Sequence, residues 1–382
     1  MAENSSTQDI PARGPADFAP RLALARRILT TGAAEDAAAV FRALCAEAAE
    51  HRLVAEQAAA LQGLGDCALE SGEPAAARDH FAQAELLLAG EPLAHRVPAL
   101  RGRATAHLLA GELRYACHLL QTAIDELSTA GPDDPQSLLA LHTAAIGPYM
   151  DMGAYARAAH AAELALALAP LVDNPTLVAG THRAVARTLV AEGRIAEAGR
   201  SLAKAQELYE QLSIRTELAH CHWMRGYVHA QEGDLDAAEH ELRTAREMLA
   251  AKRAALFTGQ VEVELADVLR RRGKAAEAAE LLRPLLAPSA LGDERGAVHA
   301  GGAHRLLGIM AEEGGDTEAA EEHYCAALSL LERTGAAGDL ADLCRLLGDL
   351  LWRGGRTEAA LGAYRTGLGH RAAPGTTTLG PC

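Results

Sequence analysis

Nine times along this chain of 382 residues a glycine is followed five residues later by an alanine: Gly32/Ala37, Gly72/Ala77, Gly111/Ala116, Gly153/Ala158, Gly193/Ala198, Gly233/Ala238, Gly273/Ala278, Gly315/Ala320 and Gly355/Ala360. Successive glycines lie 40, 39, 42, 40, 40, 40, 42 and 40 residues apart. So regular a period marks a stacked unit that can bury its apolar face only against its neighbours. The glycine suits the left-handed residue that closes a helix. The alanine keeps the next helix thin where the two must cross closely. The expectation is an all-α chain, a right-handed solenoid of about nine helix-turn-helix units over residues 18–371. The flanks, 1–17 and 372–382, are expected to be disordered tails.

Repeat eight, HAGGAHRLLGIMAEEGGDTEAAEEHYCAALSLLERTG, shows the unit most fully. Its first helix, helix A, is expected from about His299 to Glu313, and Thr317 is placed to cap the second, helix B. Seven residues before the turn glycine stand Gly65, Gly226 and Gly348 in repeats two, six and nine. Four residues after the alanine comes a large residue (Phe41, Phe81, Leu120, Leu202, Leu242, Leu282, Tyr324 or Tyr364), with Ala162 as the exception in repeat four. This alternation of small and large positions resembles the tetratricopeptide repeat across roughly residues 18–370. The 40-residue unit exceeds that family's usual 34, and the longer form resembles arrays in MalT-like activators and bacterial peptide-sensing quorum receptors. No helix-turn-helix DNA-binding domain is expected ahead of the array. Inter-repeat loops are expected to be short except at 131–135 and 287–297, the second being the candidate hinge or contact loop.

Composition narrows the partners. With 36 Lys and Arg against 51 Asp and Glu the net charge is −15, which argues against nucleic acid or an anionic membrane as a direct partner. Seven cysteines without a CxxC pair argue against a disulfide framework, and a reduced cytoplasmic setting is expected. The first 17 residues lack the apolar core of a secretory signal, and no run of 18 apolar residues occurs. Phosphate-loop, dinucleotide, nucleophile-elbow and zinc-protease motifs are absent from the sequence, so no cofactor, metal or catalytic residue is expected.

Sixteen histidines invite a metal site, but the repeat accounts for most of them. His142, His182, His222 and His304 lie eleven residues before their turn glycines, a core position of helix A in the family pattern. His118, His160 and His240 lie seven after the glycine, and His80 and His323 eight after, on helix B. His107 and His229 share a further equivalent position. Duplication copies residues in register, whereas a metal needs ligands converging on one point. In His220-Cys221-His222 the two imidazoles project about 200° apart on a helix and diverge. Pro148, inside helix A of repeat four, is expected to kink it.

The arginines are more informative. Arg101, Arg183, Arg305 and Arg345 all lie ten residues before the turn glycine, with Trp223 and Gln62 at the same position in repeats six and two. The resemblance implies that this position faces a concave groove. One helical turn on come Thr105, Arg187, Tyr227, Asp267 and Asp349. The groove is therefore expected to present Arg101, Arg183, Arg187, His220, Trp223, Tyr227, Gln260, Asp267, Arg305 and Arg345. Arginine forks hold carboxylates in two-point contact, and Trp with Tyr supplies a rigid apolar anchor. An acidic or aromatic-bearing peptide or protein segment fits that set. Against it stands the possibility that these arginines pair with Asp267, Asp342 and Asp349 on neighbouring helices. The family's Lys/Asn carboxylate clamp has little counterpart, because the chain's two asparagines, Asn4 and Asn174, lie outside groove positions. The leading expectation is a non-catalytic binding scaffold, a regulator or adaptor. The alternatives are a self-assembling repeat protein, driven by apolar Trp352, Leu361, Tyr364 and Leu368 in the last unit, and an enzyme or small-molecule binder using the superhelical cavity.

Overall fold

The computed structural model describes residues 18–110, 112–130, 134–250, 255–287, 294–332 and 337–370. The turn at Gly111, the expected tails and most of both longer loops, including the candidate hinge, lie outside the described residues.

Eighteen α-helices fill the described chain, and they fall into nine consecutive pairs. Repeats one to three are α1 Phe18–Thr30 with α2 Ala34–Glu50, α3 Val54–Glu70 with α4 Pro74–Leu87, and α5 Leu93–Leu109 with α6 Leu113–Ala130. Repeats four to six are α7 Pro135–Asp151 with α8 Tyr155–Leu168, α9 Pro175–Ala191 with α10 Ile195–Gln211, and α11 Arg215–Glu232 with α12 Leu235–Ala250. Repeats seven to nine are α13 Ala255–Arg271 with α14 Ala275–Leu282, α15 Glu294–Glu313 with α16 Thr317–Leu331, and α17 Ala337–Arg353 with α18 Thr357–Gly369. No strand occurs among the described residues.

The ruler read from the sequence is built into the turns. At Gly72, φ is 81°, a left-handed value that costs a side-chain-bearing residue about 1 kcal/mol. The Gly72 amide then donates to the Leu69 carbonyl at 3.1 Å, and the Glu73 amide to the Ala68 carbonyl at 2.8 Å, satisfying the last carbonyls of α3. The same pair of bonds recurs at Gly193 and Arg194, at 2.9 and 2.8 Å. All nine alanines five residues beyond the turn glycines are 0 % exposed. Each is wedged where helix B turns back across helix A.

The large residue four further on enters a matching hole. A Cβ placed on Gly65 would stand 2.6 Å from Phe81 Cζ, and one on Gly226 would stand 2.6 Å from Leu242 Cγ. Glycine at this point of helix A is therefore the space that the ring or isobutyl group occupies. Phe41, Phe81, Leu120, Leu202, Leu242, Leu282 and Tyr324 are all buried there. Burying each such side chain stabilises by about 1.5–3 kcal/mol.

Each helix packs on the next, and helix A of one repeat also packs on helix A of the following one, as in α5–α7, α7–α9 and α13–α15. Pairs of B helices make no comparable contact among the described residues. The A helices thus form an inner layer and the B helices an outer one, and the core lies between them as a series of separate buried clusters.

One local expectation changes. Asp316, not Thr317, caps α16: its carboxylate accepts from the Ala319 amide at 3.1 Å, because the turn leaves Asp316 at the last non-helical position. Pro148 lies within α7, which runs unbroken through it, and its carbonyl still accepts from the Met152 amide at 3.0 Å. The missing N–H falls in the last turn, so only one bond near the helix end is lost.

Candidate groove site

The inner face of the A helices gathers the predicted residues, most densely on α9, α11 and α13. Arg183 and Arg187 stand one turn apart on α9, both half-buried. Arg183 reaches Glu217 on α11 at 3.4 Å. Arg187 reaches back to Asp151 on α7 at 2.6 Å. Burial opposes the charge on each. For Arg183, Glu217 and Tyr209 outweigh that cost and raise the guanidinium's affinity for its proton. For Arg187 the same is done by Asp151, with further pull from Tyr227 and from Asp339 of α17. Asp339 belongs to repeat nine and Arg187 to repeat five, so the array curves far enough for these walls to act on each other electrostatically.

Trp223 and Tyr227 continue the strip on α11. The Trp223 indole donates to the Glu264 carboxylate on α13 at 2.8 Å, and its ring lies 6.0 Å from that of His220. Gln260 donates to the same carboxylate at 3.4 Å. Burial pushes the Glu264 carboxyl up to about 7, against the hydrogen bonds from Trp223 and Gln260 and the charge of Arg187. Burial likewise pushes the Tyr227 phenol up to about 12. The centre of the groove is thus an indole, a phenol, two half-buried cations and a carboxyl that titrates near neutrality.

The remaining predicted residues divide. Arg305 is 1 % exposed and forms a buried ion pair with Asp342 at 3.1 Å, so it belongs to the wall and does not project from it. Arg345 pairs with Asp342 at 3.2 Å and Asp349 at 3.0 Å. Asp342 thus pairs across helices with Arg305, as expected from the sequence, whereas both aspartates of Arg345 lie on its own helix. Asp267 instead takes Arg270 at 2.8 Å and Arg271 at 4.0 Å, on its own helix, and is 6 % exposed. Arg101 is half-buried on α5, away from the central strip, where its charge acts on Asp66 of α3.

Glu217, Asp151 and Glu264 were not singled out from the sequence. Asp151 lies on the groove stripe, one turn beyond the position of Arg187 and Tyr227, so the register contained its signal. Glu264 sits one residue past the arginine position, where a long side chain can still reach the neighbouring helix.

The histidines follow the repeat. His182 meets Ser201 at 3.3 Å, His222 meets Glu241 at 2.6 Å and His304 meets His323 at 3.0 Å, always across helices A and B of one repeat. No group of three or more His, Cys, Asp or Glu side chains able to hold a metal occurs among the described residues. No described helix is long and apolar enough to cross a membrane.

No protein-family model matches the sequence, and no curated protein matches it either. Solved structures do match in fold. A Rap protein complexed with Competence and Sporulation Factor aligns at TM-score 0.65 and 15% identity, over 93% of this chain and 98% of that one. The chain has the fold of a tetratricopeptide-like solenoid. The Rap conjugation gene regulator of plasmid pLS20, in complex with the Phr* peptide, aligns at TM-score 0.51 and 13% identity, over 93% of this chain and 94% of that one. The human IFIT1 dimer with m7Gppp-AAAA aligns at TM-score 0.52 and 17% identity, over 91% of this chain and 80% of that one. At such identities the likeness is one of fold, and a solenoid of this kind carries either sort of ligand.

Proposed function

We propose that this protein is a peptide- or protein-binding regulator or adaptor that holds an acidic or aromatic-bearing segment in its concave groove. The observation that carries the reading is the strip of Arg183, Arg187, Trp223 and Tyr227, half-buried on adjacent inner helices. Half-buried anchors lose little entropy on binding and shed water readily, which is why Trp, Tyr and Arg dominate binding hot spots. A ligand carboxylate competes with Asp151 and Glu217 for the arginine forks, while an aromatic side chain lies against Trp223 and Tyr227. The pLS20 regulator with its Phr* peptide supports a peptide in a solenoid of this shape. A net charge of −15 favours that over RNA, whose phosphates need unpaired cations.

The test uses a displayed library of random peptides selected on the purified chain. Acidic and aromatic peptides are expected to enrich. Arg183→Ala, Arg187→Ala, Trp223→Ala and Tyr227→Ala combined are expected to weaken the selected peptides by at least about tenfold, with the helical melt intact. Peptides that bind this variant as tightly as the parent place the site elsewhere. Tight binding of single-stranded RNA with no peptide enrichment overturns the reading.

A further inference from the structure

In every earlier repeat three positions lie buried or half-buried towards the next repeat, those three residues before the turn glycine and six and thirteen after it, and in the last repeat all three are exposed. Five register positions point towards the following repeat: three before the turn glycine, and three, six, ten and thirteen after it. Contacts between repeats fix the assignment. Six after the glycine, Cys117 touches Met152 at 3.2 Å and Glu239 takes Lys274 at 2.8 Å. Ten after, Gln121 accepts from Tyr149 at 2.6 Å and Arg157 at 2.7 Å. Thirteen after, Arg246 donates to Glu262 at 2.9 Å. Three after, Asp236 pairs with Arg272, and three before, Arg270 pairs with Glu313.

In repeat nine these positions hold Trp352, Glu358, Leu361, Arg365 and Leu368. Trp352 is 55 % exposed, Leu361 42 % and Leu368 80 %. A terminal repeat normally shows a polar outer face. Here leucine stands at the sixth position, which holds Arg78, Glu239 and Glu321 in three earlier repeats and a small residue (Ala38, Cys117, Ala159, Gly199 or Ala279) in the other five. Tyr364, grouped with these residues on sequence grounds, is not part of the face: its hydroxyl donates to Asp349 at 2.7 Å and its ring fills the space beside Gly348.

We propose that this face docks a second copy of the same chain about a two-fold axis through α18. Glu358, Leu361, Arg365 and Leu368 follow one another at spacings of three, four and three residues, a single stripe on the helix. Two such stripes laid antiparallel set position 358 against 368 and 361 against 365. Each glutamate then lies within a turn of the other copy's arginine. Laid parallel, the same stripes set Glu358 on Glu358 and Arg365 on Arg365. Both side chains are exposed, and neither forms an ion pair among the described residues. Gly362, near the midpoint of the stripe, has no atom within 4 Å of a Cβ position, so the two backbones can approach closely there. A closed two-fold pair is what an isologous apolar patch produces.

Sedimentation equilibrium of the full chain, from about 1 to 100 μM, covers the range in which a modest apolar interface assembles. A monomer–dimer equilibrium is expected. Leu361→Glu with Leu368→Glu is expected to leave only monomer, with helical content and melting unchanged. Glu358→Arg alone, or Arg365→Glu alone, is expected to weaken the dimer at least about fivefold, and the two together to restore it to within about threefold. A strict monomer overturns the proposal, whether residues 371–382 or another protein then covers the face. So does a dimer that survives the two leucine changes, or a double charge exchange that recovers nothing.

Discussion

Gly65 and Gly199 are both helical glycines with opposite reasons to exist. At Gly65 the missing Cβ is the room taken by Phe81, whose Cζ would stand 2.6 Å away. At Gly199, on α10, nothing lies within 4 Å of that point. Gly199→Ala is therefore expected to stabilise by about 0.5–1 kcal/mol through helix propensity and a less flexible unfolded chain. Gly65→Ala gains the same propensity but forces the ring aside, so a net loss of about 1–2 kcal/mol is expected. Urea unfolding of the two variants checks the sign, and a stabilised Gly65→Ala would mean that Phe81 moves freely. Arg305 shows how far single residues were legible. Its partner Asp342 was among the three aspartates named from the sequence. Its depth was not legible, because a register gives the direction of a side chain and not the height of the walls around it. The left-handed residues Arg52 and Ser213, at φ 57° and 56°, were also invisible, since neither position carries the glycine that usually signals such a turn.

Between the two helices of a repeat the histidines act as a latch. His182/Ser201, His222/Glu241 and His304/His323 are each 19 residues apart, because the turn geometry returns helix B to the same level of helix A every time. Burial lowers the pKa of His142, His182, His304 and His323, and a neighbouring histidine lowers it further for His142 and His304. These imidazoles fold neutral. Their contribution is complete above the unfolded value of about 6.5 and is lost as pH falls towards the depressed folded values. The melting temperature is expected to drop between pH 7.5 and 5. His304→Gln with His323→Gln should drop less, since that variant has two fewer buried groups to charge. Equal pH dependence in variant and parent would show that the latch does not titrate within the fold. At this scale the sequence was most legible. A glycine, an alanine and a large residue at fixed offsets determine a helix pair whatever surrounds it. The carboxylates facing Arg183 and Arg187 come from adjacent repeats, and their reach depends on inter-repeat rotation, which the pattern within one repeat does not encode.

Across the whole molecule, the main contacts among the described residues join each helix to the next and each helix A to the following one, so stability is a chain of local terms and not one global core. The long-range exception is electrostatic: Asp339 of repeat nine acts on Arg187 of repeat five across the groove. Damage in one repeat should then stay local. Ala198, 0 % exposed at the crossing of α9 and α10, is the point to test it. Ala198→Leu puts three extra carbons where the two helices meet, an overpacking cost of about 1–3 kcal/mol or more borne by repeat five and its immediate neighbours. Hydrogen exchange is expected to show protection lost from α7 to α12 and retained from α1 to α4 and from α15 to α18. The same variant should lose the groove strip on α9 and α11, and with it the selected peptides, while keeping the α18 face and its self-association. Uniform loss of protection along the array would instead reveal cooperativity reaching well past nearest neighbours. The contacts among these helices supply no such coupling, so the peptide groove and the end face are expected to be separable by a single buried substitution.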